Sequence, residues 1–206
     1  MAASKTSRRG RRPTSPEGRF RIIGGVWRGR RLPVPPEPGV RPTPDRVRET
    51  LFNWLAPVIP GARCLDLYAG SGALGLEALS RGAAQVVFVD RSAPVCRAQG
   101  EALGILGAKG AEVRRMEAEA YLAGPSEPFD AVFLDPPFRQ GLVEATLGRL
   151  AAGGWLAPGA CVYIEHEREA GAPVLPPGWT LVRSATAGQV RYHLARPGTV
   201  PDDEDR

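Results

Sequence analysis

Between residues 62 and 165 the sequence alternates between two hydrophobic periods, and few folds accommodate that pattern. Short runs of strand character occupy residues 62–67, 85–89, 111–115, 129–134 and 161–165. Stretches with helical spacing separate them, at about 73–81, 92–106, 117–123 and 141–152. Strands joined through helices run parallel, and the crossover helices cover both faces of the sheet. After Glu165 the alternation stops. Residues 179–185 and 189–195, joined around Gly188, read as a closing hairpin that adds antiparallel pairing at one edge. The expectation is an α/β, Rossmann-like domain on a mostly parallel seven-stranded sheet.

Ahead of this domain, residues 20–23 and 31–34 flank Gly24, Gly25 and Gly29 and predict a small β-hairpin with Trp27 near its turn. A Pro-rich connector covers residues 35–42. Thr43 is then placed to cap a helix whose first turn holds Pro44 and Asp45. Val47, Leu51, Trp54 (or Leu55) and Val58 give that helix its apolar face. The division expected is a disordered basic arm at 1–18, a hairpin-and-helix extension at 19–60, the main domain at 61–196 and an acidic tail at 197–206.

The net charge of +5 conceals an asymmetry. Residues 1–48 hold Lys5 and twelve Arg against Glu17, Glu37 and Asp45, which is +10, so the remainder carries −5. A basic leading segment on a mildly acidic body suits a polyanion, and nucleic acid is the natural partner. Arg28, Arg30, Arg31, Arg41, Arg46 and Arg48 are the candidate RNA-binding residues. Arg46 and Arg48, at the helix start, suit bracing of the 135–138 loop equally well. No apolar stretch approaches the roughly 20 residues that span a bilayer, and the basic amino terminus is not followed by the apolar core of a secretory signal. Cys64, Cys96 and Cys161 form no metal-binding spacing and fit reduced core residues of a cytoplasmic protein. No metal is expected.

The first strand of the alternating region runs into Asp66-Leu-Tyr-Ala-Gly-Ser-Gly72. A glycine turn between strand and helix brings backbone close to a ligand. Gly70, Gly72 and Gly75 satisfy the dinucleotide spacing, and Asp90, 20 positions after Gly70, is placed to bind two ribose hydroxyls. That much serves a nicotinamide and an adenosyl cofactor equally. Asp66 separates them: a carboxylate there can reach the amino acid end of S-adenosylmethionine, whereas it would face a pyrophosphate badly. The only histidines, His166 and His193, come late, and His193 falls in a run expected at a sheet edge, where a surface position is more usual. Ala69, Ser71 and Arg91 complete the donor-side candidates. Glu117 and Ala118 follow the third strand, where they can touch the adenine amine; a solvated helix-start glutamate fits Glu117 as well.

Asp135-Pro136-Pro137-Phe138 closes the apolar run 129–134. The lone pair of an exocyclic base amine is delocalised into its ring, so an enzyme that alkylates it must accept the N–H protons and aim that lone pair. Asp135 and the Pro136 carbonyl supply acceptors, the prolines fix their direction, and Phe138 offers a stacking face. Asp135 in this role need not be a strong base. An N6-adenine DNA methyltransferase would use the same tetrapeptide. A nucleotide-binding dehydrogenase and a non-catalytic RNA-binding assembly factor are the more distant alternatives.

The stretches RIIGGVWRGRRLPVP (21–35), RPTPDRVRETLFNWL (41–55), DLYAGSGALGLEALSRGA (66–83), DPPF (135–138), GWLAPGACVYIEHE (154–167) and AGQVRYHL (187–194) resemble the bacterial 16S ribosomal RNA (guanine-N2)-methyltransferases. The resemblance covers about residues 20–195. It implies a class I methyltransferase sheet and S-adenosylmethionine as donor. The implied substrate is one guanine of 16S rRNA in the assembled or assembling small ribosomal subunit, met by a monomeric enzyme. It also implies that Asp66, Gly70, Ser71 and Gly72 form the donor loop, Asp90 the ribose ligand and Asp135 to Phe138 the catalytic loop. Glu117 departs from the family, where Asn or Asp is more typical.

Overall fold

A computed structural model describes residues 18–138 and 140–198. The expected basic arm (but for Gly18) and the acidic tail beyond Gly198 lie outside the described residues.

The leading hairpin pairs β1 (Arg19–Arg21) with β2 (Arg31–Pro33) around a 3-10 turn at Gly25–Trp27. Phe20 and Leu32 face inward while Arg19, Arg21 and Arg31 stay outside, the period-2 alternation of a one-sided ribbon. Helix α1 (Asp45–Trp54) buries Val47, Leu51 and Phe52 as its spacing requires. Thr43 is not its side-chain cap: Pro44 occupies that position, and the Thr43 carbonyl instead accepts from Arg48 Nε at 3.0 Å.

Next come β3 (Arg63–Leu67), α2 (Ala73–Ser80), β4 (Gln85–Asp90), α3 (Ala93–Leu106), β5 (Ala111–Arg115), α4 (Ala118–Leu122), β6 (Phe129–Leu134) and α5 (Leu142–Ala152). Strands β7 (Leu156–Glu167), β8 (Thr180–Ala187) and β9 (Val190–Arg196) follow. One seven-stranded sheet runs in the order β5-β4-β3-β6-β7-β9-β8, with β9 antiparallel to both its neighbours. Strand β7 starts earlier than its apolar stretch suggests, because a register irregularity opposite Phe129 and Ala131 lets Leu156 pair before the main ladder begins. His193 is buried rather than at a surface, since β9 threads between β7 and β8.

Alternate residues of the central strands feed two cores. Cys64, Phe88, Phe133 and Tyr163 meet α2, α1 and the hairpin on one face. Leu65, Val87, Val132 and Ile164 meet α4 and α5 on the other. The sheet grows from β3 through β4 to β5, then returns to place β6 on the opposite side of β3. The order therefore reverses between β3 and β6, and ligands of such sheets bind outside the carboxyl ends of the strands at that crevice.

Candidate active site at the carboxyl edge of the sheet

Leu67 pairs with Leu134 in register. The glycine turn after β3 and the Asp135 loop after β6 therefore leave the sheet side by side, one from each wall of the crevice. Tyr68 makes the first turn possible. It is the one non-glycine among the described residues with a left-handed backbone, at φ 58°. Its hydroxyl, 3.1 Å from Thr146 Oγ1, ties it to α5. A non-glycine residue held in that region marks a strained and over-determined turn. Gly70 (φ 50°) and Gly72 (φ 73°) continue the bend, and Gln99 Nε2 donates to the Gly70 carbonyl at 2.9 Å. Gly75 serves packing instead: a Cβ there would stand 2.3 Å from the Phe88 ring.

The donor-side residues gather as expected, but their first partners are backbone. Asp90 Oδ2 accepts the Gly70 N–H at 2.9 Å, and its Oδ1 accepts the Ser92 N–H at 2.8 Å. Asp66 is 2% exposed and accepts the Gly75 N–H at 2.9 Å. Burial first, and Asp90 second, push the Asp66 carboxyl up to about 8 against that hydrogen bond. Ala69 and Ser71 are buried under the turn, with Ser71 Oγ accepting from Ala73 N at 3.4 Å. Glu117 precedes α4 and lies 3.8 Å from Arg91, both exposed, while Ala118 is buried.

This donor set fits a cation better than a dinucleotide. A pyrophosphate needs the free N–H groups of the turn and helix start. Here the N–H of Gly70 is taken by Asp90 and that of Gly75 by Asp66. Carboxylates around the turn suit the positively charged sulfonium and ammonium of S-adenosylmethionine, and the remaining lone pairs of Asp90 can still accept from ribose hydroxyls.

On the other wall, Pro136 is buried and Phe138 is 41% exposed, an aromatic face left open at the loop tip. Asp135 is not an ordinary surface carboxylate. Burial holds it well above the usual range, with Glu165 and then Asp66 adding like charge. Glu165 is 5% exposed and accepts from the Tyr163 hydroxyl at 2.6 Å. Neither Glu165 nor Tyr163 stands out among the sequence candidates. A signal is nevertheless present: Glu165 follows the apolar run 161–164 and, two residues after Tyr163, faces the same side of the strand.

Arg48 requires a correction. The sequence places it among the RNA contacts, yet it is fully buried. Its guanidinium reaches Arg21 O at 2.8 Å, Asp45 Oδ1 at 2.6 Å and Glu77 Oε2 at 3.3 Å. Glu77, in the middle of an apolar helix, also accepts the N–H groups of Ile23 and Gly24 and the side chain of Arg81, each at 2.8 Å. The pair docks the hairpin onto α2, so Arg48 is structural. Arg28, Arg30, Arg31, Arg41 and Arg46 remain exposed, with Arg30 lying 3.3 Å from the Ile105 carbonyl.

The family described as Conserved hypothetical protein 95 matches residues 20–196. Ribosomal RNA small subunit methyltransferase D of Escherichia coli K12 is 54% identical over 180 residues, covering 87% of this chain and 91% of the relative. Its counterpart in Haemophilus influenzae is 45% identical over 183 residues, covering 86% and 94%. The solved structure of yhhF from Escherichia coli superposes with a TM-score of 0.83 at 51% identity, over 88% of this chain and 99% of that one. The likeness thus runs along nearly the whole described chain, which belongs to the Conserved hypothetical protein 95 family and is similar throughout to the ribosomal RNA small subunit methyltransferases D.

Proposed function

We propose that this protein transfers a methyl group from S-adenosylmethionine to the exocyclic N2 amine of one guanine in 16S rRNA, acting as a monomer on the assembled or assembling small subunit. The observation that carries the reading is the Leu67–Leu134 register, which sets the Asp135–Phe138 loop beside the Asp66–Gly72 turn. The relatives named as small-subunit rRNA methyltransferases support the substrate class.

S-adenosylmethionine supplies a methyl group already activated by positive sulfur, so the protein contributes mainly position. Asp90 takes the ribose side. Asp66, Ala69, Gly70, Ser71 and Gly72 line the amino acid end, with Arg91, Glu117 and Ala118 beyond, toward adenine. The target guanine leaves its stack and rests on Phe138. Its N2 hydrogens are accepted by the Asp135 carboxylate and the Pro136 carbonyl, which aims the nitrogen lone pair across the crevice. One N2 proton passes to Asp135 as the new N–C bond forms.

The RNA strand is held by Arg28, Arg30, Arg31, Arg41 and Arg46. Arg19 and Arg21 join them, because with Arg31 they line an open cleft of about 360 Å³ between the hairpin and Pro42–Asp45. Mass analysis of nucleosides from small subunits incubated with enzyme and labelled donor tests the reading. It predicts N2-methylguanine in 16S rRNA; N6-methyladenine, or no product, would overturn it.

A further inference from the structure

The parallel ladder between β6 and β7 sets Leu134 opposite Ile164. The residues that follow, Asp135 and Glu165, therefore emerge side by side on one face, with Asp66 on the next strand over. Tyr163, two residues before Glu165, points to the same side, and Tyr192 of β9 pairs directly with Glu165. The groups facing Asp135 and Glu165 from these strands are thus Asp66, Tyr163 and Tyr192: two phenols and a third acid. The Tyr163 hydroxyl donates to Glu165 Oε2 at 2.6 Å.

A half-buried carboxylate just past the end of β6 and a buried one on the neighbouring strand cannot both ionise cheaply without a cation, so a proton stays on the pair. The phenol of Tyr163 stabilises charge on Glu165 rather than on Asp135. Both acids lie above their ordinary range, burial being the first cause in each and Glu165 the second for Asp135. In this state Asp135 is a hydrogen-bond donor. It cannot accept the N–H groups of a base amine until it loses that proton.

We propose that Glu165 is a positioning residue for the proposed reaction: fixed by Tyr163, it keeps a proton on its neighbour Asp135 until a sulfonium cation enters the crevice, and the cation's arrival expels that proton and turns Asp135 into an acceptor. This rests on the reading of Asp135 as the residue that holds the base amine. The charges then balance through transfer. The N2 lone pair forms the N–CH3 bond, and the S–CH3 bond breaks with its electrons kept by sulfur, which becomes a neutral thioether. One N2 proton moves to Asp135 and restores the protonated pair. Positive charge at sulfur and negative charge at Asp135 vanish together, so the crevice never holds two bare carboxylates without a cation. Binding of the base is thereby made conditional on a loaded methyl donor: the spent thioether leaves Asp135 protonated and favours product release.

Titration calorimetry in buffers of different ionisation enthalpy tests this on the whole protein, with no turnover required. At pH 6.5, S-adenosylmethionine should release up to about one proton more than S-adenosylhomocysteine. The two ligands share their ammonium and carboxylate, so the difference isolates the sulfonium from any response of Asp66. Glu165→Gln should abolish that difference, and Glu165→Asp should restore part of it. In turnover, Glu165→Gln should move the acid limb of the pH profile to lower pH, because Asp135 loses its like-charged neighbour. Equal proton release by the two ligands in the unmodified protein overturns the proposal, as does an unchanged difference in Glu165→Gln. Failure of the Asp135 reading gives a different result: Asp135→Ala would then methylate normally, whatever the calorimetry shows.

Discussion

Glu77 and Glu165 are both buried on the same side of the sheet, and their surroundings could hardly differ more. Glu77 sits between Arg48 and Arg81 and accepts two backbone N–H groups as well. Glu165 has a tyrosine hydroxyl and another acid for company. The first arrangement neutralises a charge and uses it to fasten the hairpin to the domain. In the reading proposed above, the second keeps a proton at the carboxyl edge of the sheet until a cation arrives. Burial alone therefore does not tell a structural carboxylate from a working one; the charge of its neighbours does.

The contrast breaks most visibly at Glu77. Glu77→Ala leaves the buried Arg48 guanidinium with Asp45 as its remaining acid partner and strips the N–H groups of Ile23 and Gly24 of their acceptor, so urea unfolding should show a loss of about 3–5 kcal/mol. A loss below about 1 kcal/mol would mean that the hairpin is held by its apolar packing alone. Gly75→Ala should cost about 1–3 kcal/mol in the same assay, since the new methyl meets the Phe88 ring. It acts through packing and should spare the affinity for S-adenosylhomocysteine once stability is accounted for.

Acid sharpens the contrast between the two regions. Next to the Pro136–Pro137 loop, Ser184 Oγ lies 2.7 Å from His193 Nδ1, His193 Nε2 lies 3.2 Å from His166 Nε2, and His166 Nδ1 lies 2.9 Å from Glu167 O. A carbonyl only accepts, so His166 Nδ1 carries a proton. Neutral His166 then accepts at Nε2 from His193, whose Nδ1 accepts from Ser184. Burial, then His166 and Arg191, hold His193 down to about 4. The unfolded chain takes up that proton near the ordinary 6.5, so stability is full above about 6.5, falls as pH drops towards 4, and levels off below. The expected loss is about 3 kcal/mol, and His193→Gln should flatten it.

Exposed arginines give the smallest effects. Arg31→Ala and Arg46→Ala should leave unfolding unchanged and lower the log–log salt slope of RNA affinity by about 0.7–0.9 for each phosphate no longer neutralised. Arg48→Ala should do the reverse, destabilising the fold whatever RNA is present.

Much of this is legible in the chain. The strands at β4, β5 and β6 lie where their composition predicts, and the Asp66–Gly72 and Asp135–Phe138 turns meet as their positions at strand ends require. Local spacing carries that information because each motif begins where a strand stops. What escapes it is long-range. Arg48 looks like its exposed neighbours, since nothing within a helical turn reveals that Glu77, 29 residues later, will bury it. His193 reads as a surface residue because the order of β8 and β9 in the sheet is a matter of topology, not of hairpin pattern. Glu165 draws no notice because Asp135 becomes its neighbour only through strand register.

Everything at the reacting edge depends on Asp135 holding the base amine that receives the methyl group. Tritiated methyl transfer to undermethylated small subunits by Asp135→Ala, with donor affinity measured on the same preparation, tests this most directly. Turnover should fall by at least about a thousandfold while donor affinity stays within a few-fold of the unmodified protein. Near-normal methylation by that variant would contradict it.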